Sequence, residues 1–258
     1  MRLTISLAQI DIALGRPEEN LAKVEGMIAE ASQRGSQIIL LPELWSTGYD
    51  LGRMEEHAKA TEGLLPRLSR LADERSIYII GSLITRKGEE HFNTATIFSA
   101  EGQLVGEYDK AHLFPPLEED RYFSPGRSTP LFDLPWGKTA LAICYDLRFP
   151  ELFRKYALGG ARIVFLPAEW PYPRLEAWRV LLRARAIEDQ LFLVACNRVG
   201  EAKGYRFIGH SAICDPRGER VIEGGEEEAL LVATIDLDLV EEVRRQLPFL
   251  EDRRGDLY

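Results

Sequence analysis

Cysteine and histidine are both scarce here, with three and four copies in 258 residues. Cys144, Cys196 and Cys214 form an odd set with no CxxC spacing. That excludes a disulfide framework and points to a reducing compartment, the cytoplasm. His57, His91, His112 and His210 make no HxH or HxxxH pair, so no metal site is expected. Basic residues are outnumbered, 32 Lys and Arg against 41 Asp and Glu, for a net charge of −9. This excludes the basic footprint of nonspecific nucleic-acid binding and disfavours docking on anionic lipid. No apolar run approaches the roughly 18 residues of a membrane span. The opening MRLTISLAQIDIAL is too short and too polar for a signal peptide. Repeats, low-complexity segments and linkers are also missing. What remains is an ordinary globular composition, 45% hydrophobic and 28% charged. One domain over 1–258 is expected, with its core over about 3–235 and a C-terminal helix and tail over 236–258.

The periodicity along the chain alternates between strand and helix. Leu3 to Ile10 reads as a strand, Pro17 to Arg34 as an amphipathic helix and Gln37 to Leu41 as a buried strand, a βαβ opening. An irregular aromatic loop, Leu44 to Gly52, precedes a helix over Leu64 to Arg75. Ile77–Ile84, Phe92–Ser99 and Gln103–Tyr108 are strands in meander order, which suggests a mixed sheet with antiparallel pairs. Lys110 to Arg127 reads as a loop, and two short strands lead to Cys144. A helix over Glu151–Gly159, a strand over Arg162–Leu166, a helix over Leu175–Gln190 and a strand over Leu191–Asn197 follow. Phe207–Cys214, Glu219–Ile222 and Ala229–Ile235 read as a final meander, and Leu237–Arg245 as a last helix. A two-layer sheet core with helices outside is the simplest packing of this alternation.

Three of the buried strands stop at a chemically active residue. The run Ile38–Leu41 ends in Pro42-Glu43, the strand through Tyr108 in Asp109-Lys110, and the run through Ile143 in Cys144. Cys144 stands on a strand-to-helix elbow, where a fold presents a nucleophile beside backbone N–H groups. A thiol of ordinary pKa, about 8.5, is only partly ionised at neutral pH. Glu43 is therefore placed as general base and later general acid. Lys110, with the backbone N–H of Tyr145, is placed to hold a tetrahedral oxyanion. Singly, each residue has a bland structural explanation; together at three strand ends they make a site.

With LLPELWSTGY around Glu43, YDKAHLF around Lys110 and AICYDLRFPEL around Cys144, the chain resembles the carbon–nitrogen hydrolase (nitrilase) superfamily. The similarity runs from Leu7 to about Ile235. The resemblance implies an α/β fold, a four-layer αββα sandwich of two mixed sheets with outer helices. It implies a Glu43–Lys110–Cys144 triad, a thioester intermediate resolved by water, no cofactor, and a homodimer or larger homo-oligomer. It also implies a second glutamate after the lysine. Glu118 and Glu119 are the candidates, and the spacing to Ser124-Pro125-Gly126 favours Glu119. Its role would be to position substrate and keep Lys110 charged.

The segment from Pro167 to Gly200 looks most like the omega-amidase branch, whose members hydrolyse the terminal amide of 2-oxo-dicarboxylate monoamides such as 2-oxoglutaramate. Such a substrate needs a cation, for which Arg148 is the first choice and Arg174 the second. Tyr49 and Trp170 are expected as pocket walls. Glu169 departs from the branch, where an amide side chain precedes the Trp-Pro pair, and so becomes a candidate specificity residue. Asn197, Arg198 and the FIGHSAI segment read as scaffold, and Cys196 and Cys214 as inert. Within the superfamily, a nitrilase, a carbamoylase or an amidase for a neutral or amine-bearing substrate would use the same triad. A non-catalytic scaffold member is disfavoured by the intact triad.

Overall fold

The computed structural model describes residues 1–257. β1 (Arg2–Gln9), α1 (Pro17–Gln33) and β2 (Ile38–Leu40) form the expected βαβ unit, with β1 and β2 parallel. Pro17 starts α1 with a preset φ, and Leu21, Val24, Ile28 and Ala31 form its buried stripe. α2 (Met54–Arg75) begins well before Leu64, where the apolar periodicity would start it. Its first buried turns are lined by Met54, His57, Ala58 and Thr61, side chains with little combined hydrophobic signal. β3 (Tyr78–Lys87), β4 (Glu90–Phe98) and β5 (Leu104–Asp109) make the expected antiparallel meander.

The segment after Lys110 is not all loop. It holds a single 3₁₀ turn, Pro115–Leu117, and a short α3 (Glu119–Tyr122). β6 (Leu131–Leu134) and β7 (Gly137–Leu141) form a hairpin, and a 3₁₀ turn over Cys144–Arg148 leads into α4 (Pro150–Leu158). β8 (Ile163–Ala168), α5 (Leu175–Asp189) and β9 (Phe192–Asn197) continue as parallel strands with their connecting helix. The stretch expected as a strand over Phe207–Cys214 is mostly irregular. A small hairpin, β10 (Glu201–Ala202) with β11 (Tyr205–Arg206), comes first, and only β12 (Ala212–Cys214) is extended. Gly209 at φ 64° and His210 at φ 51° interrupt it. β13 (Arg220–Glu223), β14 (Ala229–Asp236) and α6 (Asp238–Gln246) complete the chain.

The strands form two six-stranded mixed sheets, ordered β14-β1-β2-β3-β4-β5 and β13-β12-β9-β8-β7-β6. The expected final meander is therefore broken. β13 stays beside β12, whereas β14 crosses to the other sheet and pairs antiparallel with β1 from Arg2↔Asp236 to Gln9↔Ala229. The crossing makes the two sheets equivalent. Each contains two adjacent parallel pairs flanked by antiparallel ones.

Strand alternation divides the core into layers. Ile38 and Leu40 join Leu3, Ile5, Ile80 and Ile97 against second-sheet residues such as Ile143 and Phe165. Ile39 and Leu41 face the other way, into a cluster with Val24 and Ile28 of α1 and Leu68 and Ala72 of α2. A one-residue slip in β2 would exchange these sets, so burial on both faces fixes its register. Phe153 of α4 and Trp178 and Leu182 of α5 pack with the second sheet. The result is the helix–sheet–sheet–helix order implied by the motifs. Among the described residues, no helix is long and apolar enough to cross a membrane.

Candidate active site

Residues just past the ends of β2, β5, β7 and β8 meet in one place. Lys110 Nζ lies 2.7 Å from Glu43 Oε1 and 2.7 Å from Glu119 Oε2, and all three side chains are sealed from solvent. The geometry thereby separates the two adjacent glutamates. Glu118 takes a left-handed backbone, φ 62°, and pairs with Arg121 at the surface, which turns Glu119 inward. The N–H of Phe114 donates to Glu119 Oε2 at 2.6 Å and fixes that carboxylate.

Glu43 is held on every side. Its Oε1 accepts from Lys110 Nζ, from Tyr49 OH at 2.8 Å and from Asn93 Nδ2 at 2.8 Å. Its Oε2 accepts one bond, from the N–H of Glu169 at 2.8 Å. Oε1 is thus saturated, and Oε2 is the oxygen left with capacity for a thiol proton. Asn93 carries no sequence signal of its own, being a lone amide in an otherwise β-patterned run. Its place on β4, beside the end of β5 that delivers Lys110, is a product of sheet pairing.

Cys144 has φ 43°, a left-handed conformation that an L-residue adopts at a cost of about 1–2 kcal/mol. The turn that forces it is tied by Asp146, which accepts from the N–H of Ile143 at 2.8 Å while its own N–H donates to the Ile143 carbonyl at 2.9 Å. Burial pushes the Cys144 thiol well above its ordinary range, and the negative charge of Glu43 adds to this against the opposing charge of Lys110. The resting nucleophile is therefore a thiol, which needs a base as it attacks. Burial works against the Lys110 ammonium, but Glu119 and then Glu43 outweigh it and hold its pKa above the usual lysine value. Glu119 is raised, by burial first, with Lys110 opposing. Cys196 and Cys214 are buried free thiols pushed up by burial, Cys214 to about 12.

Cys144 opens onto a narrow cavity lined by Phe114, Tyr145, Arg148, Trp170, Pro171 and Arg174. The Arg148 guanidinium lies 4.8 Å from the Trp170 ring centroid, and that of Arg174 lies 5.7 Å from the Phe114 ring. Among the described residues neither arginine is paired with a carboxylate, and no carboxylate lines the cavity. Tyr145 packs between Phe114 and Phe149.

Two expected pocket residues are elsewhere. Tyr49 is not a wall of this cavity; its hydroxyl lies between Glu43 Oε1 and Glu119 Oε1, at 2.8 and 3.0 Å. Glu169 does not line it either. Its Oε2 pairs with Arg198 Nη1 at 3.0 Å, and its buried Oε1 has no hydrogen-bond partner. Burial pushes the Glu169 carboxyl up to about 8, against the charge of Arg198. Arg198, read as scaffold, also reaches Asp11 at 2.7 Å and the Ile12 carbonyl at 3.0 Å, linking the ends of the two sheets.

Residues 4–245 match the family model described as carbon-nitrogen hydrolase. The 2-oxoglutaramate amidase of Bacillus subtilis (strain 168) is 44% identical over 260 residues, covering 100% of both chains. An omega-amidase of Bos taurus is 34% identical over 267 residues, covering 99% of this chain and 97% of its own. Among solved structures, a carbon-nitrogen hydrolase from Helicobacter pylori G27 superposes with a TM-score of 0.95 at 28% identity, covering 100% of this chain and 97% of that one. A mutant of an amidase from Nesterenkonia sp. AN1, carrying the acetamide moiety of fluoroacetamide on its active-site cysteine, gives 0.90 at 30% identity, covering 99% and 95%.

Proposed function

The chain belongs to the carbon-nitrogen hydrolase family, and on that premise we propose that it is an amidase for a small carboxylated amide, releasing ammonia, with 2-oxoglutaramate as the leading substrate. The observation that carries the substrate class is the cavity itself, which offers two guanidiniums without a carboxylate partner and no acidic lining. An anionic end fits it by charge-assisted, bidentate pairing with Arg148, supported by Arg174. The name of the Bacillus subtilis relative supports the same choice.

Cys144 Sγ attacks the amide carbonyl carbon as Glu43 Oε2 takes the thiol proton. The oxyanion is held by Lys110 Nζ and the Tyr145 N–H. Glu43 returns the proton to the nitrogen, the C–N bond breaks, and ammonia leaves a Cys144 thioester. Glu43 then draws a proton from water, whose oxygen attacks the thioester carbonyl. Collapse breaks the C–S bond and gives the acid and the thiol. Glu119 Oε2 accepts from Lys110 Nζ and holds it in place. Trp170 and Phe114 flank the substrate chain. The free state of all three cysteines supports a reducing, cytoplasmic setting. The family resemblance supports a homodimer or larger homo-oligomer.

Ammonia release is measured from 2-oxoglutaramate, 2-oxosuccinamate, glutamine, a neutral aliphatic amide, a carbamoyl amine and a nitrile, with wild type and Cys144→Ala side by side. Cys144-dependent release centred on the 2-oxo acid amides is the expected result. Preference for a neutral or amine-bearing member would discard the carboxylate pocket.

A further inference from the structure

Tyr49 lies in a cluster whose charges do not balance. Lys110 supplies one positive charge between two buried carboxylates, Glu43 and Glu119. If both are ionised, the sealed cluster carries an extra negative charge, which low-dielectric burial disfavours. One spare proton shared by the pair removes it. The phenol of Tyr49 sits where such a proton would pass, 2.8 Å from Glu43 Oε1 and 3.0 Å from Glu119 Oε1. A phenol has one hydrogen, so it cannot donate to both oxygens at once. It can donate to one and accept from the other, and accepting requires that the second carboxyl be protonated.

We propose that Tyr49 is a positioning residue that bridges the two glutamates, donating to Glu43 while accepting the carboxyl proton of Glu119, so that Glu43 is kept ionised as the base. The shorter contact is the one to Glu43, as this orientation requires. The elevated pKa of Glu119 agrees with its holding the proton. The tyrosine stays neutral: burial pushes its own pKa well up, and the titratable groups facing it are Glu119, Glu43, Cys144 and Glu169. Lys110 Nζ, 3.4 Å away, is the cation facing it. By holding the spare proton on Glu119, Tyr49 leaves Glu43 free to take the thiol proton of Cys144.

The inference rests on the Glu43–Cys144 mechanism above but not on the identity of the substrate. Its test is Tyr49→Phe, read by the pH dependence of Cys144 alkylation with iodoacetamide and by kcat and KM on whichever amide the wild type hydrolyses. Losing a donor to the ionised pair should move the acid limb of both profiles to higher pH by about one unit. It should lower kcat about tenfold or more with KM within about twofold. Superposed alkylation profiles for Tyr49→Phe and wild type would overturn the proposal, because a ring that only fills space shifts no titration. Glu119→Gln guards against a fold artefact: in that background Tyr49→Phe should cost little more, and fully additive losses would refute the bridge. If the alkylation limb shifts while no 2-oxo acid amide is hydrolysed, the bridge stands and only the substrate assignment falls.

Discussion

The phenol of Tyr108 donates to Asp146 Oδ2 at 2.7 Å, so the strand that delivers Lys110 is bonded to the turn that carries Cys144. Asp146 is fully buried and also accepts from the N–H groups of Ile143 and His112, at 2.8 and 3.0 Å. One carboxylate therefore sets the separation of nucleophile and oxyanion donor. Asp146→Ala should lower stability by about 3 kcal/mol or more, since several buried donors lose their acceptor at once. Tyr108→Phe, which removes two bonds, the one to Asp146 and the one its hydroxyl accepts from the Ala111 N–H at 3.1 Å, should cost less, about 2 kcal/mol. Urea unfolding of both variants checks the ratio; equal small losses would mean that solvent replaces Asp146.

Cys144→Ala should abolish turnover while the protein remains folded, because only a sulfur is lost. The backbone at this position predicts a second effect. At φ 43°, alanine keeps the strain that cysteine carries, whereas glycine relieves it. Cys144→Gly should be more stable than Cys144→Ala by about 1 kcal/mol. Thermal melts compare the two directly, and retained turnover in either variant would remove Cys144 as nucleophile.

Arg148→Ala should reduce kcat/KM for a carboxylated amide by about a hundredfold, the scale of one charge-assisted bidentate contact. A neutral amide of similar length should lose much less. Steady-state kinetics on the two substrates measures the difference, and equal losses would leave Arg148 as packing against Trp170.

Glu169 makes stability depend on pH in a predictable direction. Its carboxyl rises from 4.5 to about 8 on folding, chiefly by burial. An elevated folded pKa means that the stabilising contribution is complete below the unfolded value and is lost as pH climbs through the folded one. Glu169→Gln cannot ionise, so its stability relative to wild type should grow between pH 4.5 and about 8. Denaturant unfolding at about pH 5 and about pH 9 tests this, and a difference that stays flat would mean that Arg198 keeps the wild-type carboxylate ionised throughout.

Chemistry at strand ends is legible in the amino-acid sequence. Glu43, Lys110 and Cys144 each follow an apolar or alternating run that reads as a buried strand, and Arg148 follows the nucleophile within the same turn. Spacing to the Ser124-Pro125-Gly126 turn favours Glu119 but leaves Glu118 open; the left-handed backbone at Glu118 is what turns one inward and the other out. Nothing local predicts that Asn93 reaches Glu43 from β4, or that Arg198 ties Glu169 to Asp11.

Short-range periodicity and side-chain chemistry suffice to encode the order of most strands and helices, the alternating burial that layers them, and the residue types of the catalytic set. Long-range contacts settle the rest. β14 leaves its neighbours to cover the edge of β1, since an exposed strand edge has unpaired backbone groups that only a distant segment satisfies. Tyr49 becomes a partner of two carboxylates rather than a pocket wall, and Glu169 turns to Arg198 rather than to the cavity. Those roles are set by residues brought together from separate parts of the chain, and no local pattern encodes which buried polar group will meet which.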